Sequence, residues 1–181
     1  MLDFFSLLGL PQVFSLDLQS LATAWKTAQT QVHPDKFANQ SDAEKRLSMQ
    51  WAVRVNDAYQ TLKSPIKRAT YLCELRGVPL NTESNTAMPA AFLMQQMEWH
   101  EDLEAANTID GVESVLGALN HFESKLQSDV AQALDVENDV TEGATLGATQ
   151  AATKAAGLVR QWLFVAACQH EAESKLEALQ K

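Results

Sequence analysis

A chain of 181 residues with 46% hydrophobic and 20% charged residues and only 5 prolines is globular rather than disordered. At this length a folded chain buries roughly 70% of its unfolded surface. Its net charge of −9 is unevenly spread: residues 1–76 carry 9 Lys/Arg against 7 Asp/Glu, residues 77–181 carry 5 against 16. Nucleic acid is therefore a poor partner, because phosphate binding draws its affinity from concentrated positive charge, and no stretch approaches a membrane-spanning length.

The first elements are helical. Asp3 to Leu8 form a short helix stopped by Gly9 and Pro11. Leu18, Leu21, Trp25, Ala28 and Val32 mark one apolar stripe at helical spacing, with Asp17 as its cap. The tripeptide His33-Pro34-Asp35 ends this helix, since proline disfavours helix at the residue before it. Ser41-Asp-Ala-Glu44 is a capping box opening a helix that should carry Leu47, Trp51, Val55, Ala58 and Leu62 inward. Ser64-Pro65 starts a fourth helix through Leu75, closed by Gly77.

Residues 78–89 are polar, hold two prolines and break the periodicity, which predicts a linker between a first domain at 1–77 and a second at 90–181. The second domain reads as helices at Ala90–Ala106, Gly111–Val136 and Leu158–Leu179, an antiparallel three-helix bundle. Asp139–Gly157, rich in Ala, Thr and Gly, either extends the last helix or connects to it. Cys73 and Cys168 match no metal-ligand spacing and read as small buried residues of a reducing compartment. His100, His121 and His170 have no companions for metal binding and read as surface histidines, and no cofactor is expected. The N-terminus carries an acid where a signal peptide needs a base and lacks the arginine-rich character of a transit peptide, which predicts the bacterial cytoplasm.

Between two amphipathic helices, His33 and Asp35 stand at the tip of a finger with little entropy left to lose on binding. A carboxylate there can accept an arginine fork from a partner. An enzyme using His33 and Asp35 would need a nucleophile and a water-excluding cleft, and a finger tip supplies neither. Alone, the tripeptide is also compatible with a plain helix-terminating turn.

The flanking residues narrow this. Val32-His-Pro-Asp-Lys-Phe37, then Val55-Asn-Asp-Ala-Tyr-Gln-Thr-Leu62, then Ser64-Pro-Ile-Lys-Arg-Ala-Thr-Tyr71 resemble, in order and spacing, the J-domain of DnaJ-type co-chaperones. The resemblance implies that His33, Pro34 and Asp35 stimulate ATP hydrolysis by a DnaK-type chaperone, so that this chain is not itself an enzyme. Most J-domains have a strongly basic helix before the turn. Here that helix offers only Lys26, with Lys36, Lys45 and Arg46 beyond the turn, which predicts a less salt-sensitive chaperone contact.

The chain has no Gly/Phe-rich linker and no CxxCxGxG repeats. With Phe4-x-x-Leu7-x-Gly-Leu-Pro11 at the start and Ala91-Phe-Leu-Met94-x-x-Met97-Glu98 after the linker, it resembles the HscB family of iron–sulfur cluster assembly co-chaperones along nearly its whole length. That resemblance implies an L-shaped, all-α, two-domain monomer whose partners are an HscA-type chaperone and the scaffold protein IscU. The residues of the bundle agree independently. Phe92, Trp99 and Leu103 share one face of their helix, while Leu93, Met94 and Met97 lie on another about 150° away at 100° per residue. Either the helix is buried all round, or its second face, flanked by Glu98 and Glu101, is presented to a partner. The resemblance assigns Leu93, Met94, Met97, Glu98 and Glu101 to IscU binding, together with Phe164. Phe164 lies off the core stripe of Leu158, Trp162, Val165, Ala172 and Leu176. A J-protein that delivers a different client is the other reading of the same motifs.

Overall fold

The computed structural model describes residues 2–33, 36, 41–80, 88–135 and 144–180. These form seven helices and no strand: α1 (Phe4–Leu8), α2 (Leu18–Val32), α3 (Asp42–Lys63), α4 (Pro65–Leu75), α5 (Ala90–Ala105), α6 (Ile109–Leu134) and α7 (Ala144–Leu179). The chain divides into two compact units, residues 1–72 and 73–181, the division falling inside α4.

Side-chain caps open the N-terminal helices, those at Asp17 and Ser41 as expected from sequence and one more at Asp3, which caps the first helix from outside it. Asp3 accepts from the amides of Phe5 and Ser6, and Asp17 from those of Gln19 and Ser20. Ser41 and Glu44 form the reciprocal capping box. Hydrogen bonds from the Ser20 side chain and then from the Ser20 and Gln19 amides hold the Asp17 carboxyl below its ordinary value. The Ser41 hydroxyl and amide do the same for Glu44.

The J-type motif residues are the struts of the first unit. Trp25 on α2 donates its indole N–H to Asn56 Oδ1 on α3 (3.0 Å) and stacks on Tyr59, ring centroids 4.6 Å apart. Ala58 and Leu62 are fully buried beside Leu21 and Val55. Tyr71 stacks on Phe4 at 4.7 Å and its hydroxyl accepts the Phe4 amide. The nearly buried Arg68 lies over the Phe14 ring and donates to the Leu62 carbonyl at 2.6 Å, in the last turn of α3. The Trp25 contacts hold α2 and α3 side by side.

Three residues expected inside are outside. Leu18 is exposed, lying about 50° from the centre of the Leu21–Val32 stripe. Leu47 is 54% exposed and Trp51 lies open as well. Both line an open groove of about 510 Å³ with Leu2, Phe4 and Arg54. At five residues, α1 is too short to cover the half of α3 nearer the turn. The buried stripe of α3 is instead Ser48, Val55, Ala58 and Leu62.

In the second unit, α6 and α7 form the main antiparallel pair through Val112, Val115, Leu119, Leu126 and Val130 on one side and Val159, Trp162, Val165 and Ala172 on the other. Helix α6 begins at Ile109, two residues before the expected start, because Thr108 caps it through the Gly111 amide. Helix α7 runs 36 residues, so the segment from Ala144 to Gly157 is an extension of the last helix and not a connector. Residues 139–143 of that segment lie outside the described residues. Ala152, Ala155, Ala156 and Val159 are fully buried at i, i+3, i+4, i+7 spacing. Their burial offsets the cost of Gly147 and Gly157, about 1 kcal/mol each in a helix interior.

Of the expected linker, Leu80 is buried and residues 81–87 lie outside the described residues. The Leu80 carbonyl accepts from Arg160 (3.0 Å), the Ala152 carbonyl lies 3.8 Å from Cys73 Sγ, and Arg76 donates to Leu134 O (2.6 Å) at the end of α6. Both cysteines are buried free thiols, and burial pushes Cys73 up to about 11.

Arg68→Met should lower the stability of the first unit by about 2 kcal/mol, because the Leu62 carbonyl loses a charge-assisted bond in a place water does not replace it. A fall in the urea midpoint followed through Trp25 and Trp51 fluorescence checks this, and an unchanged midpoint contradicts it.

Candidate functional site

Two sets of candidate residues fall in separate units. In the first, His33 is the C-cap of α2 with extended backbone (φ −61°, ψ 129°), as the proline after it requires, and its side chain is exposed. The Lys36 amide donates to the His33 carbonyl (3.0 Å), which draws the two ends of the turn together. Pro34 and Asp35 lie outside the described residues. Lys26, Lys36 and Arg46 are exposed, Lys45 is half-buried, and Arg46 Nε donates to Asp42 O (3.3 Å) at the start of α3.

The second set is built on α5. An aromatic cluster fixes this helix against its neighbours: the Phe92 ring meets Trp99, Phe122 of α6 and Phe164 of α7 at 6.2, 5.8 and 5.9 Å, and Trp99 meets Phe122 edge-on at 5.0 Å. Leu103 completes the inward stripe. At the C-terminal end of α5, Lys175 of α7 donates to the carbonyls of Leu103 and Glu104, offsetting the negative end of the helix dipole.

With Phe92, Trp99 and Leu103 inward, the second apolar face points out. Leu93 is 45%, Met94 65% and Met97 63% exposed. The all-round burial of α5 is thereby excluded. Glu98 and Glu101 are exposed beside these residues, and Gln95 donates to Glu98 Oε2 (2.9 Å). Phe164 is half-buried between core and surface. The face is a mobile-sidechain apolar strip with acidic margins, chemistry suited to an adaptable protein contact.

His100 does more than occupy the surface. It lies three residues after Met97 and seven after Leu93, hence on their face of α5. Its ring packs edge-on against Phe164 (5.6 Å), Nδ1 is 4.0 Å from Glu171 Oε2, and Nε2 is 4.0 Å from Cys168 Sγ. The i, i+4, i+7 spacing of Phe164, Cys168 and Glu171 held this signal, but only the pairing of α5 with α7 reveals it. The two ring nitrogens face different groups, so these three side chains do not converge on one point. Among the described residues no His/Cys/Asp/Glu cluster has the arrangement to hold a metal, and no helix is long and apolar enough to cross a membrane. Burial, then the Glu171 carboxylate, raise the Cys168 thiol above its ordinary value.

Residues 88–173 match the family model described as the HscB C-terminal oligomerisation domain. The co-chaperone protein HscB homolog of Paraburkholderia xenovorans is 45% identical over 97% of this chain and 95% of its own length, and that of Cupriavidus taiwanensis 39% over 98% and 96%. The chain belongs to the HscB co-chaperone family. Chaperone HscB from Vibrio cholerae superimposes with a TM-score of 0.68 at 32% identity, covering 98% of this chain and 99% of that one. Human co-chaperone HscB has the same fold, with a TM-score of 0.84 at 24% identity over 97% of this chain and 82% of its own.

Because Leu93, Met94 and Met97 contribute little to the core, replacing all three by alanine should change thermal stability by less than about 1 kcal/mol. Phe92→Ala, one residue away but inside the aromatic cluster, should cost about 3–5 kcal/mol. Calorimetric unfolding of the two variants checks the contrast, and equal losses would contradict the outward assignment of the strip.

Proposed function

We propose that this HscB-family protein binds the iron–sulfur scaffold protein IscU through α5 and presents it to an HscA/DnaK-type chaperone, whose ATP hydrolysis it stimulates through the His33-Pro34-Asp35 turn. The observation that carries the reading is the exposure of Leu93, Met94 and Met97 on a helix whose opposite face is pinned in the core. An apolar strip left open on a bundle of this kind marks a protein contact. Glu98 and Glu101 beside it, in a C-terminal region carrying 16 acids against 5 bases, favour a basic patch on the client. Phe164 extends the contact from α7.

On the chaperone side, His33 and Asp35 act as recognition groups and the phosphoryl chemistry belongs to the partner. Asp35 is the anionic group for an arginine of the ATPase, with Lys26, Lys36, Lys45 and Arg46 as the basic surround. The chain needs no cofactor for this. Its contribution is to hold client and ATPase on one polypeptide, which raises the effective concentration of each for the other. Iron–sulfur cluster assembly benefits when the chaperone closes on the delivered scaffold.

The two halves separate by substitution. Asp35→Asn should abolish stimulation of the chaperone ATPase and leave IscU affinity, measured by calorimetry, unchanged. Alanine at Leu93, Met94 and Met97 should weaken IscU binding by about 100-fold, the loss expected for truncating a hot-spot cluster. That variant should still stimulate the ATPase when no client is present. If either variant loses both activities while remaining folded, the division of labour is wrong.

A further inference from the structure

We propose that on α7 the client-binding face extends beyond Phe164 to the His100–Glu171 pair across the seam with α5, and that this pair receives a cationic side chain flanking the client's apolar contact. The inference rests on the reading of Leu93, Met94 and Met97 as the client strip and adds to it a second, polar half.

Continuity is the first argument. His100 shares the face of Leu93 and Met97, and its ring is wedged against three residues of α7 that follow one another at helical spacing, Phe164, Cys168 and Glu171. The seam between the two helices is therefore filled on this side by a side chain that is itself half open to solvent. His100 is 52% and Glu171 62% exposed. A partner residue seated against Met97 has His100 as its next neighbour and Glu171 beyond it.

Charge is the second argument. The groups around the seam are Glu101 and Glu104 on α5 and Glu171 on α7, all exposed acids. Lys175, one turn after Glu171 on α7, directs its ammonium to the carbonyls of Leu103 and Glu104 and so is committed to the end of α5. Glu171 is 4.0 Å from His100 Nδ1, outside direct hydrogen-bond distance, so its carboxylate keeps acceptor capacity for an incoming donor. An imidazole flanked by an aromatic edge and an exposed carboxylate suits an arginine or lysine whose stem lies along the ring while its head reaches the acid. An apolar knob with an adjacent base is thus the client feature the whole face fits.

The experiment compares Kd for purified IscU, by calorimetry, across single variants of the full-length chain. Glu171→Lys should weaken binding by about tenfold or more and make it less salt-dependent, as expected when a like charge meets a cation across an interface. Glu171→Gln should lose about threefold, and His100→Ala about fivefold by removing the surface on which the side-chain stem rests. Glu173→Lys makes the same charge change about 160° around α7, and it should stay within about twofold of the wild type. Equal losses for Glu171→Lys and Glu173→Lys would reduce the effect to net charge and overturn the proposal, as would unchanged affinity for Glu171→Lys. Should that variant bind normally while alanine at Leu93, Met94 and Met97 abolishes binding, the client strip stands and only its extension fails. Unchanged affinity in both overturns the strip as well. Thermal unfolding of each variant separates a lost contact from a lost fold.

Discussion

Everything assigned to the second unit depends on how α5 is held in a bundle of three helices. A helix with two neighbours buries the parts of its circumference that face them and must leave the remainder in water. The cluster of Phe92, Trp99, Phe122 and Phe164 decides which part is buried, because four rings interlocked at about 5–6 Å cannot be rotated without opening a void in the core. Once Phe92 and Trp99 are inside, Leu93, Met94 and Met97 have nowhere to go but outward, and His100 is brought against α7. The exposed strip is a geometric consequence of the aromatic cluster.

Helix ends are held by a recurrent device. The C-terminal turns of α3, α5 and α6 each receive a cation from elsewhere in the chain: Arg68 at Leu62, Lys175 at Leu103 and Glu104, and Arg76 at Leu134. The last carbonyls of a helix carry partial negative charge and lack intrahelical partners, so an arginine or lysine from outside both satisfies them and fixes where the helix stops. In the second unit, where bases are few, two of them are spent in this way.

Much of this was legible in the sequence because it is written in large residues or in caps. The capping box at Ser41, the proline start of α4, the inward stripe of α5 and its second apolar face are all set by local rules and spacing. The failures have physical causes too. Leu47 and Trp51 satisfy helical periodicity, yet periodicity says nothing about whether a covering element is long enough, and α1 is not. The N-terminal half of α7 was ambiguous because alanine marks a buried face weakly, although Ala152, Ala155, Ala156 and Val159 carried the spacing. The meeting of His100 with Phe164 and Glu171 is a tertiary fact between partners 64 or more positions apart in the chain, beyond the reach of any local pattern.

The central claim is that one polypeptide couples a client face to a chaperone-stimulating turn, and coupling in cis has a direct test. Chaperone ATPase turnover is measured at limiting IscU with the intact protein, then with an equimolar mixture of the Asp35→Asn chain and the chain carrying alanine at Leu93, Met94 and Met97. Each site is then present in solution, but never both intact on the same molecule. The account predicts that the mixture lacks the synergy between IscU and co-chaperone that the intact chain gives, because the effective concentration supplied by the covalent connection is gone. A mixture that restores the full synergistic rate would contradict it.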